Sequence, residues 1–168
     1  TIDKGFSATN RKVQFGNFNA DRDPFAQSAL NASLGFQINP DWKIDSGLLY
    51  SEGLNHYDDG PNRDTRGIVR TRTAYVGARG AVTSNWTTQL RYSQSSDYTR
   101  AIVAAPSNLP GLFQTTQDQY QWQNDIATPI GTVVAGLERR EQQVTSDTRY
   151  SVAARDIDSA FAGLNGRA

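Results

Sequence analysis

From Phe25 to Ile38 the chain reads FAQSALNASLGFQI, and nearly every second residue is apolar: Ala26, Leu30, Ala32, Leu34, Phe36 and Ile38, with only Ser28 interrupting. Between them stand Gln27, Asn31, Ser33, Gly35 and Gln37. A period of two belongs to an extended strand whose two faces meet different surroundings. After Asn39-Pro40-Asp41 the pattern returns, with Trp42, Ile44, Leu48 and Tyr50 set against Lys43, Asp45, Gly47 and Ser51. After Thr83-Ser84-Asn85 come Trp86, Thr88, Leu90 and Tyr92 against Thr87, Gln89, Arg91 and Ser93. From Gln119 the same alternation sets Tyr120, Trp122 and Ile126 against glutamines and Asp125. Stretches 66–82, 131–146 and 152–166 are strand-like with a less regular alternation, which predicts a β-bulge near Arg72 to Ala74. With a partial strand at 1–9, the pattern predicts eight strands and no helix.

The connections alternate in length. NPDW, VTSNW and TPIGT are tight, whereas segments near 10–24, 54–66, 97–114 and 146–152 are longer and polar. Short turns on one rim, long loops on the other and strands of a dozen residues or more predict an all-β, antiparallel transmembrane β-barrel. Strands of soluble proteins are typically about 5 or 6 residues long. A soluble lipocalin-like barrel turns its apolar side chains inward and its charges to water, whereas here the polar face is mostly Gln, Asn, Ser, Thr and Gly, which suits a wet lumen. Trp42 and Trp86 each follow a tight turn, and Tyr50 and Tyr92 come later on the same faces, as in the aromatic girdles of two membrane interfaces.

Composition narrows the field. The 168 residues carry 17 basic and 17 acidic side chains, so no overall field recruits nucleic acid. There is no cysteine, which removes disulfides, thiolate catalysis and Cys-ligated zinc. No run approaches the roughly 20 apolar residues of a membrane-spanning helix, a condition that leaves barrels open. The chain opens on Thr1 without methionine, and reads as a processed protein or an excised segment. Catalysis has little to build on: His56 is the lone histidine, it falls in a polar loop, and a solvated loop residue is expected rather than a member of a triad. No glycine-rich phosphate loop follows a strand, so an enzyme is not expected.

Two acidic stretches stand out. NHYDDGPNRDTR, Asn55 to Arg66, carries Asp58, Asp59 and Asp64, and NADRDPF carries Asp21 and Asp23. Turn chemistry explains such loops in part, since Asp, Asn, Gly and Pro bend chains and water solvates the charge. Two acidic loops on one rim can also converge, and carboxylates that converge repel one another unless a cation such as calcium, which takes six to eight oxygens, sits between them.

DRDPF, NHYDDG with DTR, and the later QWQND followed by AGLERRE together resemble the barrel domain of TonB-dependent outer-membrane transporters, most closely the vitamin B12 (cobalamin) receptor branch. The resemblance runs through the whole chain. It implies a barrel of about 22 strands with a plugged lumen, of which these eight are a slice. It also implies a bacterial outer-membrane location, import of cobalamin or a related corrinoid, energy delivered by TonB through a plug domain absent from this sequence, and calcium that orders the external loops. By motif the calcium ligands fall on Asp21, Asp23, Tyr57, Asp58 and Asp64, with Asn19 and Asp59 as weaker candidates beside them. The sequence departs from the family where Gly5-Phe6-Ser7 puts a hydroxyl in place of a carboxylate, and where LNGRA stands without a terminal aromatic residue. Two other readings stay open on the residues alone. One is a self-contained eight-stranded outer-membrane barrel with a structural or adhesive role, the other a soluble β-domain that binds a small ligand.

Overall fold

The computed structural model describes residues 1–6, 22–60, 63–103 and 111–166. They form eight strands, β1 (Ile2–Phe6), β2 (Pro24–Gln37), β3 (Trp42–Gly60), β4 (Arg63–Thr83), β5 (Trp86–Val103), β6 (Leu112–Thr128), β7 (Gly131–Ser146) and β8 (Ala154–Gly166). Each strand pairs antiparallel with its neighbours in sequence, giving one eight-stranded sheet in the order β1 to β8. No helix occurs among the described residues, and there β1 and β8 do not pair with each other, so the sheet is open.

The tight turns form where expected, each for a local reason. Asn39 Oδ1 accepts the backbone N–H groups of Asp41 and Trp42, both at 2.9 Å, an Asx turn that launches β3. Between β4 and β5 the Thr83 hydroxyl donates to Asn85 Oδ1 at 2.7 Å. Gly131 closes the β6–β7 turn with a φ of 140°, a conformation that favours glycine.

Two expectations are corrected. The register of β4 with β5 runs unbroken through Arg72↔Ser96, Thr73↔Ser95 and Ala74↔Gln94; the irregularities lie instead at Asp58/Gly60 and Ala81/Thr83. Alternation fades near Arg72 because one face changes from apolar to polar there, not because the strand slips. Nor is 54–66 a loop: β3 continues to Gly60 and β4 starts at Arg63, so the acidic stretch is the end of a long hairpin.

Cross-strand registers sort the side chains into two faces. One rung of the apolar face runs Phe36, Ile44, Ala78, Leu90, Trp122, Leu137 and Ala160, from β2 to β8. The next runs Leu34, Ser46, Val76, Tyr92, Tyr120, Arg139 and Asp158. Ala26, Leu30, Ala32, Leu34 and Phe36 share this face by the unbroken register of β2, opposite Gln27, Asn31, Ser33 and Gln37. Polar residues inside the apolar region find partners: the indole N–H of Trp122 donates to Thr88 Oγ1 at 2.9 Å, and that of Trp86 to Asn124 Oδ1 at 3.0 Å.

The other face is polar and more covered. Along β7 all its residues, from Thr132 to Ser146, are partly or fully buried, whereas Leu137, Arg139, Gln143 and Thr145 of the apolar face are exposed. Its side chains also reach farther. Arg91 meets Asp45 at 3.3 Å and Arg79 meets Asp125 at 3.5 Å, each across an intervening strand, as on the inside of a curved sheet. No apolar side chain is buried among the described residues, and Leu34 and Leu90 are 77% and 56% exposed.

The apolar region has a slanted upper edge. Moving away from the tight turns, the first charge on this face is Glu52 on β3, Arg72 on β4, Asp118 on β6, Arg139 on β7 and Asp158 on β8; on β5, where the first charge is Arg100, the line passes through Gln94, which donates to Asp118. Through the registers Glu52↔Arg70, Arg72↔Ser96, Gln94↔Asp118, Asp118↔Glu141 and Arg139↔Asp158, that edge descends three rungs of the face, or six residues, between β3 and β8. At roughly 3.3 Å per residue and about 4.8 Å per strand, the edge crosses the rungs at about 40°.

Candidate functional site

The rim opposite the tight turns gathers most of the expected ligands. Asp58 and Asp64 are direct partners across β3 and β4, beside the Tyr57↔Thr65 pair. Like charges directly opposite one another weaken a strand pair. Beside the pair, His56 Nδ1 lies 3.5 Å from Asp64 Oδ2, with the imidazole only 19% exposed. That corrects the expectation of a solvated loop histidine, since His56 belongs to β3 and packs against the acidic pair.

Alternation separates the other candidates. Asp58 and Asp64 share the face of His56 and Arg66, while Tyr57 and Thr65 point to the polar face. The Tyr57 ring hydroxyl therefore stands away from the two carboxylates, leaving its backbone carbonyl as the nearer oxygen. Asp23 precedes β2, two residues beyond the Phe25↔Asn55 pair, which puts it at the level of Tyr57 on the adjacent strand. Asp21 and Asn19 lie outside the described residues, as does the side chain of Asp59. Among the described residues no three His, Cys, Asp or Glu side chains converge tightly enough to hold a metal ion. The donors that are placed are hard oxygens, as calcium requires, and two of them form one opposed pair.

Below this rim lies a belt of charge that the sequence reading did not single out, on the apolar face just beyond its slanted edge. On β3 to β5 Arg70 pairs with Glu52 and stacks its guanidinium 5.4 Å from the Tyr98 ring centre, while Tyr50 donates to Glu52 at 2.8 Å. Arg66, Arg72 and Arg100 join Arg70 on this face. On β6 to β8 the sign reverses. Arg139 is held by Glu141 at 2.7 Å, Asp156 at 2.8 Å and Asp158 at 3.5 Å, and Tyr92 and Gln94 both donate to Asp118, at 2.5 and 2.9 Å. The odd-even spacing of Arg66, Arg70 and Arg72 was readable from the sequence; that Arg100 joins them needs the register Ile68↔Arg100. Beneath the belt a shallow apolar hollow is lined by Ile44, Val76, Leu90, Tyr120, Trp122 and Leu137. Tyr92, Arg139 and Asp158 of the belt line it as well.

Set against known proteins, the chain matches no family model, no curated protein and no solved structure.

Proposed function

We propose that this chain forms part of the wall of an outer-membrane β-barrel that works as a TonB-dependent receptor for cobalamin or a related corrinoid. The observation that carries the barrel reading is the slanted edge of the apolar face. Strands of transmembrane barrels tilt by about 35–45° from the membrane normal, so a membrane plane must cut the rungs of the sheet obliquely. The edge found here, at about 40° to the rungs, has that obliquity. In this reading Trp42 and Trp86, near the tight turns, and Tyr50, Tyr92 and Tyr120, near the other edge, serve as interfacial aromatics. The polar face then lines an aqueous lumen.

A soluble ligand-binding domain fits less well. Such a domain needs a core, and none of the described apolar side chains is buried. The corrinoid and the TonB coupling rest on the resemblance of the DRDPF, NHYDDG and AGLERRE stretches. In this reading no bond is made or broken; the rim presents a binding surface. Calcium would be held by Asp58 and Asp64, with Asp21, Asp23 and an oxygen of Tyr57, and would supply charge neutralisation that orders the rim before ligand arrives. Ordering in advance removes part of the entropy loss from the binding step.

The test is titration of the full-length protein with cobalamin, in calcium and in chelator, repeated for Asp58→Ala and Asp23→Ala. Calcium-dependent affinity that both substitutions weaken supports the reading. Absence of corrinoid binding in every condition removes the substrate assignment, and equal affinity in all conditions removes the calcium.

A further inference from the structure

We propose that Arg66, Arg70, Arg72 and Arg100 form a binding surface for the phosphate groups of lipid headgroups in the leaflet at the long-connection rim. This rests on reading the apolar face as lipid-facing. The four side chains are exposed and share the apolar face, on two adjacent strands, directly above its slanted edge. Arg70↔Tyr98 and Ile68↔Arg100 are neighbouring pairs, so Arg100 lies diagonally beside both Arg70 and Arg66, and Arg72 follows Arg70 on the same side of β4. Glu52 engages Arg70, and the opposed Asp58 and Asp64 lie one rung beyond Arg66 on the same face. Arg66, Arg72 and Arg100 form no ion pair among the described residues, in contrast to Arg139, which has three carboxylates about it.

Three guanidinium groups that form no ion pair among the described residues, beside a hydrocarbon-facing surface, place positive charge where a phosphorylated headgroup would sit. A headgroup phosphate offers two or three oxygens to the planar fork of an arginine, which binds them in pairs. The nearby tyrosines suit the same depth, since an amphipathic ring prefers the boundary between chains and headgroups. Beyond β5 the belt turns acidic, so lipid phosphates would gather on one side of the segment only.

The experiment uses the full-length protein, first inserted into vesicles of phosphatidylcholine alone and then titrated in neutral detergent with bis-phosphorylated lipid A and with its dephosphorylated form. Native mass spectrometry reads the bound lipid. Phosphorylated lipid A is expected to bind at least tenfold more tightly than the dephosphorylated form. The triple variant Arg66→Gln/Arg72→Gln/Arg100→Gln should lose that preference, Arg139→Gln should keep it, and Glu52→Gln should sharpen it. Insertion into phosphatidylcholine with no discrimination between the two lipids overturns this proposal while leaving the lipid-facing reading intact. Failure to insert overturns both. A detergent-stable dimer that the triple variant abolishes, again without lipid discrimination, would assign the arginines to the acidic belt of a second copy and overturn the proposal as well.

Discussion

At the scale of the residue, the two faces of β2 give the sharpest contrast. Leu34 and Ser33 are neighbours in sequence and both exposed, yet their side chains belong to opposite faces of the sheet. If the apolar face meets lipid, arginine at Leu34 should destabilise the folded protein in a bilayer by about 2–4 kcal/mol, and arginine at Ser33 by far less. Reversible unfolding from vesicles measures both, and equal penalties would mean that the faces are wrongly assigned. The opposed carboxylates make a second residue-scale case. Removing one charge with Asp58→Asn should raise stability in chelator by about 0.2–1 kcal/mol, by relieving the repulsion across the pair. In saturating calcium the sign should reverse, because the substitution then removes a ligand. Thermal unfolding in the two buffers checks this, and a shift of the same sign in both would leave the pair without a cation. The sequence made Asp58 and Asp64 visible as acidic residues. It did not show that they face each other, or that Tyr57 turns away, because both facts depend on a hairpin register that composition does not encode.

The strands themselves were the most legible elements. Alternation in 25–38 and 86–93 fixes an extended backbone and its faces together, and the turn residues Asn39-Pro40-Asp41 and Gly131 mark where it reverses. Less legible were the places where a strand changes surroundings. Near Arg72 the apolar face runs out, and the pattern resembles a bulge although the ladder continues. At Asn55 to Arg66 the turn-forming composition concealed a hairpin that stays paired to Asp58↔Asp64 and on to Gly60↔Arg63. Another element-level device needs both strands to be seen: aromatic rings lie over glycines directly across the ladder. Trp42 covers Gly80, Tyr75 covers Gly47 and Phe161 covers Gly136, and a Cβ added at any of these glycines would run into the ring. Such pairs brace neighbouring strands where glycine alone would leave a gap. Gly80→Val should therefore displace the Trp42 indole and cost roughly 1–3 kcal/mol. Gly35→Val, at a position with open space around it, should change stability by less than about 0.5 kcal/mol. Tryptophan emission in a Trp86→Phe/Trp122→Phe background, together with unfolding midpoints, distinguishes the two. Equal effects would show that the ring does not rest on the glycine.

Across the whole molecule, the slanted boundary links sequence, register and environment. No single strand reveals it, since each one merely changes from apolar to polar or charged at some point along its length. Only when the registers align the strands do Glu52, Arg72, Gln94, Asp118, Arg139 and Asp158 fall on one oblique line. The account holds that this line is level in the membrane and that the strands are tilted. The chain has no cysteine, so single nitroxide labels can be introduced at these six positions without competing thiols from it. The decisive measurement is their depth in a lipid bilayer, read from the ratio of collisions with oxygen and with a water-soluble nickel chelate. The account predicts one shared depth for all six, at the boundary between chains and headgroups, with labels at Leu90 and Leu137 deeper and in lipid. A depth that changes steadily from Glu52 to Asp158, by roughly the 20 Å that six residues span along a strand, would contradict it, as would equal access of the nickel chelate to Leu90 and Gln89.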